Sequence, residues 1–314
     1  MNLPTHSYKQ VSYDLRPAKQ VERRMMMEAL QRLAEGSFPI RDYQYTGLGS
    51  IYFVDFILLH RYLGVSKLLS AEYDLSIERR MAFNRPFGSI DVQMRPVGEV
   101  IPTLDRDLMH ILWLDYDSQL TAEMLSDVVL ASHHLSPGSI ILATVDALAP
   151  KEREQPSECY EYYHEQAGEF FELNWTPSEF TKSKLPSTNL GLLQNAISRG
   201  VAARPDTTFS SLFKFSYADG HPMVTIGGMI TTDTESRMLQ ACDFRDAPFV
   251  IRDPSGPPFE IMVPRLTRKE RLYLDSNMPC ADDWQPAQFE LDPAETQSYR
   301  QIYRYYPLYA ELLL

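Results

Sequence analysis

Apolar positions follow two rhythms along this chain, and the rhythm changes near residue 150. Between residues 43 and 146, short β-rich runs alternate with stretches of helical period. Tyr43 to Thr46 reads as a first strand, and Ser50 to Tyr62 as an amphipathic helix closed by Gly64. Val65 to Ala71 reads as a second strand ending at Glu72, Ile77 to Asn84 as a helix, and Ile90 to Met94 as a third strand. His110 to Leu114 is the fourth strand and ends in Asp115-Tyr116-Asp117. Thr121 to Leu135 has helical spacing, and Ser139 to Val145 is a fifth strand ending at Asp146. The fifth run is apolar nearly throughout, as a parallel strand covered on both faces must be. The alternation predicts right-handed βαβ units and an open α/β sheet.

The flanks read differently. Leu15 to Leu33 is predicted helical, with Pro17 in its first turn and Val21, Met25, Met26, Leu30 and Leu33 near a 3.6 period. Gly36 stops it, and Met25-Met26-Met27 reads as core filler. Residues 150–210 are rich in Glu, Pro, Ser and Tyr and are expected to cap a site. Their aromatics (Tyr160, Tyr162, Tyr163, Phe170, Phe171 and Trp175) suit packing first and an acceptor pocket second. Leu212 to Tyr217 and Pro222 to Ile230 flank Asp219-Gly220, a hairpin signal. Beyond 245 the chain is Pro-rich, with a helix capped by Thr267 and Glu270 and a last helix from Pro293 to Tyr306. The expected division is an N-terminal helical segment (1–40), a core with its insertion (41–245) and an accessory segment (246–314).

Composition narrows the class. With 314 residues, 44% of them hydrophobic, the chain can bury a substantial core. No apolar run is long enough for a transmembrane helix, and residues 1–14 lack a signal-peptide core. Cys159, Cys242 and Cys280 form neither a CxxC pair nor an even disulfide set, so a cytoplasmic location is expected. The net charge of −12 argues against unspecific nucleic-acid binding. Arg16, Lys19, Arg23, Arg24 and Arg32 form a local basic cluster, read as a solvated helix face or a dock for an acidic partner.

Candidate chemistry centres on Gly47-Leu48-Gly49-Ser50, where the first strand meets the following helix. That arrangement brings a nucleotide-like ligand onto backbone N–H groups at a helix N-terminus. Gly-x-Gly alone is a weak signal, and Tyr52 stands where a dinucleotide fingerprint has its third glycine. Ligands of open α/β sheets bind at the carboxyl ends of the strands. Gly47, Glu72, Asp115 and Asp146 all fall at such ends.

With these residues in view, the chain resembles class I S-adenosylmethionine-dependent methyltransferases. More narrowly it resembles a bacterial family of O-methyltransferases. The matching pieces are Leu15-Arg16-Pro17-Ala18-Lys19, Gly47 to Phe56, Phe83-Asn84-Arg85-Pro86-Phe87 and Trp113-Leu114-Asp115-Tyr116-Asp117. The resemblance covers at least 11 to 230. It implies a Rossmann-like α/β fold: a mostly parallel seven-stranded sheet ending in an antiparallel hairpin, with helices on both faces. It implies S-adenosylmethionine as cofactor, held by Tyr45, Gly47, Leu48, Gly49 and Ser50, with Glu72 on the ribose hydroxyls and Asp115 nearby. The family's acidic residue before the glycines is replaced here by Tyr43-Gln44-Tyr45-Thr46. Asp55, or Arg16 and Lys19, are candidates for the amino-acid end of the cofactor.

The acceptor is less constrained. No Asp/Asn-Pro-Pro-aromatic motif follows the fourth strand, where Asp115-Tyr116-Asp117-Ser118 stands, so base N-methylation is disfavoured. Catechol-type O-methyltransferases place carboxylates after strands four and five on a divalent metal, so Asp115, Asp117 and Asp146 become candidate catalytic residues and Mg²⁺ ligands. Without metal, His133, His134, His164 or His221 could serve as general base. The expected reaction is O-methylation of a small molecule, with a nucleic-acid or protein acceptor, or a non-catalytic interaction subunit, as alternatives. No membrane partner is expected, and a homo-oligomer is allowed.

Overall fold

The structure, a computed structural model, describes residues 16–307; Leu15, the expected helix start, lies outside the described residues. Among the described residues the first helix, α1 (Pro17–Glu35), precedes the sheet. The chain then runs β1 (Gln44–Leu48), α2 (Val54–Leu63), β2 (Lys67–Ala71), α3 (Glu78–Asn84), β3 (Ile90–Gln93), α4 (Val97–Val100) and β4 (His110–Gln119). It continues through α5 (Ala122–His134), β5 (Ile140–Asp146), α6 (Pro156–Ala167), α7 (Leu185–Ala202), β6 (Thr208–Ala218) and β7 (Pro222–Thr231). Last come α8 (Asp233–Ala241), β8 (Phe259–Ile261), α9 (Arg268–Ser276) and α10 (Pro293–Ile302).

The sheet order is β3-β2-β1-β4-β5-β7-β6-β8. β1 to β5 pair in parallel, and β7 lies antiparallel between β5 and β6. The expected mostly parallel sheet with its closing hairpin is therefore present, with one strand more than expected. That eighth strand, β8, pairs in parallel with the end of β6. It comes from a Pro-rich stretch of only three strand residues, too short to carry a period.

One apolar layer packs α1, α2 and the C-terminal segment on Tyr45, Ile111, Trp113, Leu142 and Phe215. The other packs α4 to α7 on Leu69, Leu112, Leu114, Ala143 and Ile226. Both faces of β4 and β5 are thus covered, which explains their double-faced sequence. Within 150–210, α7 buries Leu190, Leu192, Leu193 and Ile197 in the second layer, so it serves as a core helix between β5 and β6. The aromatics Tyr160, Tyr163, Phe171, Trp175 and Phe180 pack mainly on one another, edge to face or stacked. No helix among the described residues is long and apolar enough to cross a membrane.

α1 is tied at both ends by residues distant in sequence. Arg16 precedes it and supplies no side-chain cap. Instead Asp219, from the β6–β7 turn, accepts from the N–H groups of Ala18 at 3.0 Å and Lys19 at 2.8 Å. A carboxylate on these first-turn donors replaces a local N-cap and complements the helix dipole. Further along, Arg24 donates to the carbonyl of Tyr306 at 2.7 Å, and Tyr305 donates its hydroxyl to Glu28 at 2.6 Å. Arg304 pairs with the same carboxylate at 3.2 Å. Asp219→Ala is expected to cost about 1–2 kcal/mol in urea unfolding, with Asp219→Asn recovering most of it. Equal stability of the alanine variant and the wild type would show that the cap contributes nothing.

Candidate active site

β6 runs parallel to β5, so the Asp219-Gly220-His221 turn joins the carboxyl ends of β1, β2, β4 and β5 at one edge of the sheet. The glycine segment is set differently from expectation. Gly47 lies inside β1, paired with Ser70 and Trp113, rather than in a turn. α2 begins at Val54 instead of Ser50, because Ile51 to Phe53 form an intervening turn. The left-handed conformation falls on Phe53, at φ 50°, and not on either glycine. A bulky residue in that region is strained. Burial of its ring against Phe56 holds it there.

Both glycines have steric reasons within the chain. A Cβ on Gly47 would stand 2.5 Å from the Tyr45 hydroxyl. One on Gly49 would stand 2.8 Å from Cβ of Glu72 and Cε of Met81, and 3.0 Å from the Ala71 carbonyl oxygen. The Gly49 N–H also donates to that carbonyl. The glycine segment and the end of β2 are therefore in close contact, and Glu72 is fixed beside Gly49. Burial, then the nearby charges of Asp74 and Asp117, raise the Glu72 carboxyl above its ordinary range, partly offset by the Asp74 N–H.

α1 lays a row of charges against the same edge. Lys19 is fully buried and reaches Asp115 at 2.6 Å and Glu22 at 2.8 Å. Its ammonium also lies 4.2 Å from the Trp113 ring centroid. Arg23 donates Nε and Nη2 to the two oxygens of Asp55, at 2.6 and 3.0 Å. Its Nη1 is buried without a hydrogen-bond partner among the described residues. Arg16 stands 3.9 Å from Asp219. Burial alone would raise the Asp115 carboxyl, but Lys19, Arg16 and Arg23 outweigh it and hold it below the ordinary range. Burial pushes the hydroxyls of Tyr45 and Tyr217 far up, so both stay neutral in this network.

These contacts correct the basic-cluster reading. Arg16, Lys19 and Arg23 are 8, 0 and 4% exposed, so they cannot form a docking face. Arg24 is engaged with the C-terminal segment and Arg32 with Glu28. The sequence offered them as solvated because the Asp115 partner of Lys19 and the Asp55 partner of Arg23 lie far along the chain.

The structure gives the Mg²⁺ expectation no support. Among the described residues, no group of three or more His, Cys, Asp or Glu side chains could hold a metal ion. β4 continues through Gln119 with a bulge after Asp115, which spreads the carboxylates along a strand instead of gathering them at its end. Asp115 is occupied by Lys19, and Asp146 accepts the Leu148 N–H at 2.7 Å. Burial and the charge of Asp117 raise the Asp146 carboxyl, against the Leu148 N–H, His221 and Arg16, which lower it.

Leu48 and Ser50 are half-buried at the end of β1. Of the candidate histidines, His221 sits in the turn at this edge, near Asp146. His133 and His134 are in the last turn of α5, where the Leu104 carbonyl lies 2.8 Å from the His134 ring. His164 packs on Tyr160 and Phe171. The sequence reading missed Asp219 as the α1 cap, Met81 as the residue under Gly49, and Glu22 as a partner of Lys19. Glu22 offered a signal: a carboxylate three residues from Lys19 on the same helix.

A family model described as Putative O-methyltransferase matches residues 11–314. No curated protein matches the chain. Among solved structures, the O-methyltransferase TomG from Streptomyces achromogenes, in complex with SAM, is 15% identical with a TM-score of 0.38, over 66% of this chain and 78% of that one. The O-methyltransferase from Bacillus cereus, in complex with SAH, is 12% identical with a TM-score of 0.40, over 71% and 86%. Trm1 from Pyrococcus horikoshii, with S-adenosyl-L-methionine, is 12% identical with a TM-score of 0.43, over 70% and 58%.

Proposed function

The chain belongs to the family described as Putative O-methyltransferase, and on that premise we propose that it transfers the methyl group of S-adenosylmethionine to an acceptor oxygen at the carboxyl edge of its sheet. The observation that carries this reading is the contact of Gly49 with Glu72, which sets a carboxylate beside a backbone segment too tightly placed to bear a side chain. A carboxylate there can accept two hydrogen bonds from a ribose diol. The buried Nη1 of Arg23, without a hydrogen-bond partner among the described residues, supports a site for the cofactor's carboxylate on the α1 side.

When bound, the sulfonium supplies an already activated methyl group. The chain's residues then have to hold and orient the reactants. Glu72 would fix the ribose. Arg23, held rigid by Asp55, would fix the amino-acid end. Asp146, a better proton acceptor than an ordinary carboxylate because its pKa is raised, would take the acceptor hydroxyl's proton at its Oδ2. Three free cysteines favour a reducing, cytoplasmic setting.

Titration calorimetry tests the reading. The wild type is expected to bind S-adenosylmethionine, and Glu72→Ala to bind it about 10- to 100-fold more weakly through loss of charge-assisted bonds. An unchanged affinity in Glu72→Ala would sink the site assignment.

A further inference from the structure

The α1 cations are engaged inside the fold, so an anionic acceptor would have to be met elsewhere. The segment that follows Glu72 carries a second set of cations, and these face solvent. Tyr73, Leu75 and Phe83 are 77, 67 and 88% exposed. Arg79, Arg80 and Arg85 are exposed in the same stretch, between residues 73 and 85. Ile77 and Met81 anchor it in the core, and Met81 is the residue that lies under Gly49. Arg85 is steadied by donating Nη1 to the Ile90 carbonyl at 3.1 Å.

Two properties distinguish this face. Its charge opposes that of the whole: residues 73–85 hold three arginines against two acidic residues, Asp74 and Glu78, in a chain of net charge −12. Its rings stand out into solvent, where they would stack on a partner, instead of folding over an enclosed small-molecule pocket. Guanidinium groups beside flat exposed rings fit a ligand that alternates phosphates with unstacked bases. An acidic peptide would satisfy the arginines and leave the rings without a matching surface. DNA offers no recurring hydroxyl, whereas every RNA residue carries a ribose 2′-hydroxyl.

We propose that the 73–85 face docks single-stranded RNA and that a ribose hydroxyl of that strand is the methyl acceptor. The acceptor half rests on the cofactor reading given above; the docking half does not. Transfer breaks the sulfonium C–S bond, forms a C–O bond, leaves the electron pair on sulfur and passes the hydroxyl proton to a carboxylate or water.

The test uses the full chain and a fluorescein-labelled oligouridine of about 15 nucleotides, followed by anisotropy from ~50 to ~200 mM NaCl. Expected are saturable binding that weakens with salt, and a loss of about 10-fold or more in both Arg79→Glu and Phe83→Ala. Calorimetry on the same variants is expected to leave S-adenosylmethionine affinity unchanged. The proposal is overturned if the wild type does not bind the oligonucleotide at low salt. It is also overturned if Phe83→Ala binds as well as the wild type, or if polyglutamate competes as effectively as RNA. A dimer that Phe83→Ala converts to monomer would overturn it in favour of a second copy of this chain on the face. If RNA binds through these residues while S-adenosylmethionine does not bind at all, docking stands and the methyl-transfer reading fails.

Discussion

Replacing Lys19 by methionine is expected to destabilise the fold by about 3 kcal/mol, because Asp115 and Glu22 lose the cation between them. Lys19 and Glu22 have fully buried side chains, so water cannot take the ammonium's place. Arg16 and Arg23 still face Asp115, which keeps the loss at the low end of the range for a broken buried pair. Methionine keeps an unbranched apolar stem, so the effect isolates the ammonium, including its contact with the Trp113 ring. Urea unfolding followed by Trp fluorescence measures it, and adding Glu22→Gln should recover part of it. The sign of the pH dependence follows from Asp115. Its folded pKa is depressed, so its favourable contribution is present above the unfolded value and is lost as pH falls through the folded one. The gap between wild type and Lys19→Met should therefore be widest near neutrality and shrink as the medium is acidified into the carboxylate range. A gap that is small at neutral pH, or that grows in acid, would show that the ammonium is not the partner described.

The second large effect is expected at Gly49. Gly49→Val should lower S-adenosylmethionine affinity at least about 100-fold, some 2.7 kcal/mol. Its Cβ alone overlaps three atoms. The Met81 methyl can swing aside. The Ala71 carbonyl is tied into the β2 end, and Glu72 can make room only by moving its own Cβ. The substitution thus displaces the carboxylate assigned to the ribose without touching its charge. Gly88→Ala, where a Cβ meets nothing within 4 Å, is the matching control and should bind normally. Circular dichroism separates local displacement from unfolding. An affinity within threefold of the wild type in folded Gly49→Val would remove the glycine segment from the site.

The order of strands and helices was legible in the sequence because burial on both sheet faces leaves an unbroken apolar record in β5 and an alternating one in the helices. The Thr267–Glu270 capping box was legible because its partners are three residues apart. What could not be read had partners far away. Asp219 lies 201 residues from the N–H it caps, and Lys19 lies 96 from Asp115. No local period records such a pairing. β4 misled for a different reason. Asp115-Tyr116-Asp117 looks like the polar end of a strand, yet the pleat continues, sending Asp115 to Lys19 and Tyr116 to Asp127 on opposite faces. The missing carboxylate before the glycines was visible as an absence. The buried guanidinium proposed to hold the cofactor's carboxylate, Arg23, was not, because only its packing against Asp55 distinguishes it from a surface arginine.

The tethering of α1 sets an order of events during synthesis. Among the described elements the helix emerges first from the ribosome, and its Asp55 and Asp115 partners follow within 100 residues. Its cap, Asp219, comes some 200 residues later, and the Tyr305 hydroxyl that reaches Glu28 comes 277 later. Until then the positive end of the helix dipole and the Glu28 carboxylate lack these two partners. The earliest of the described helices is thus among the last to be secured, and the charge row beside the proposed cofactor site can settle fully only when most of the chain is already in place.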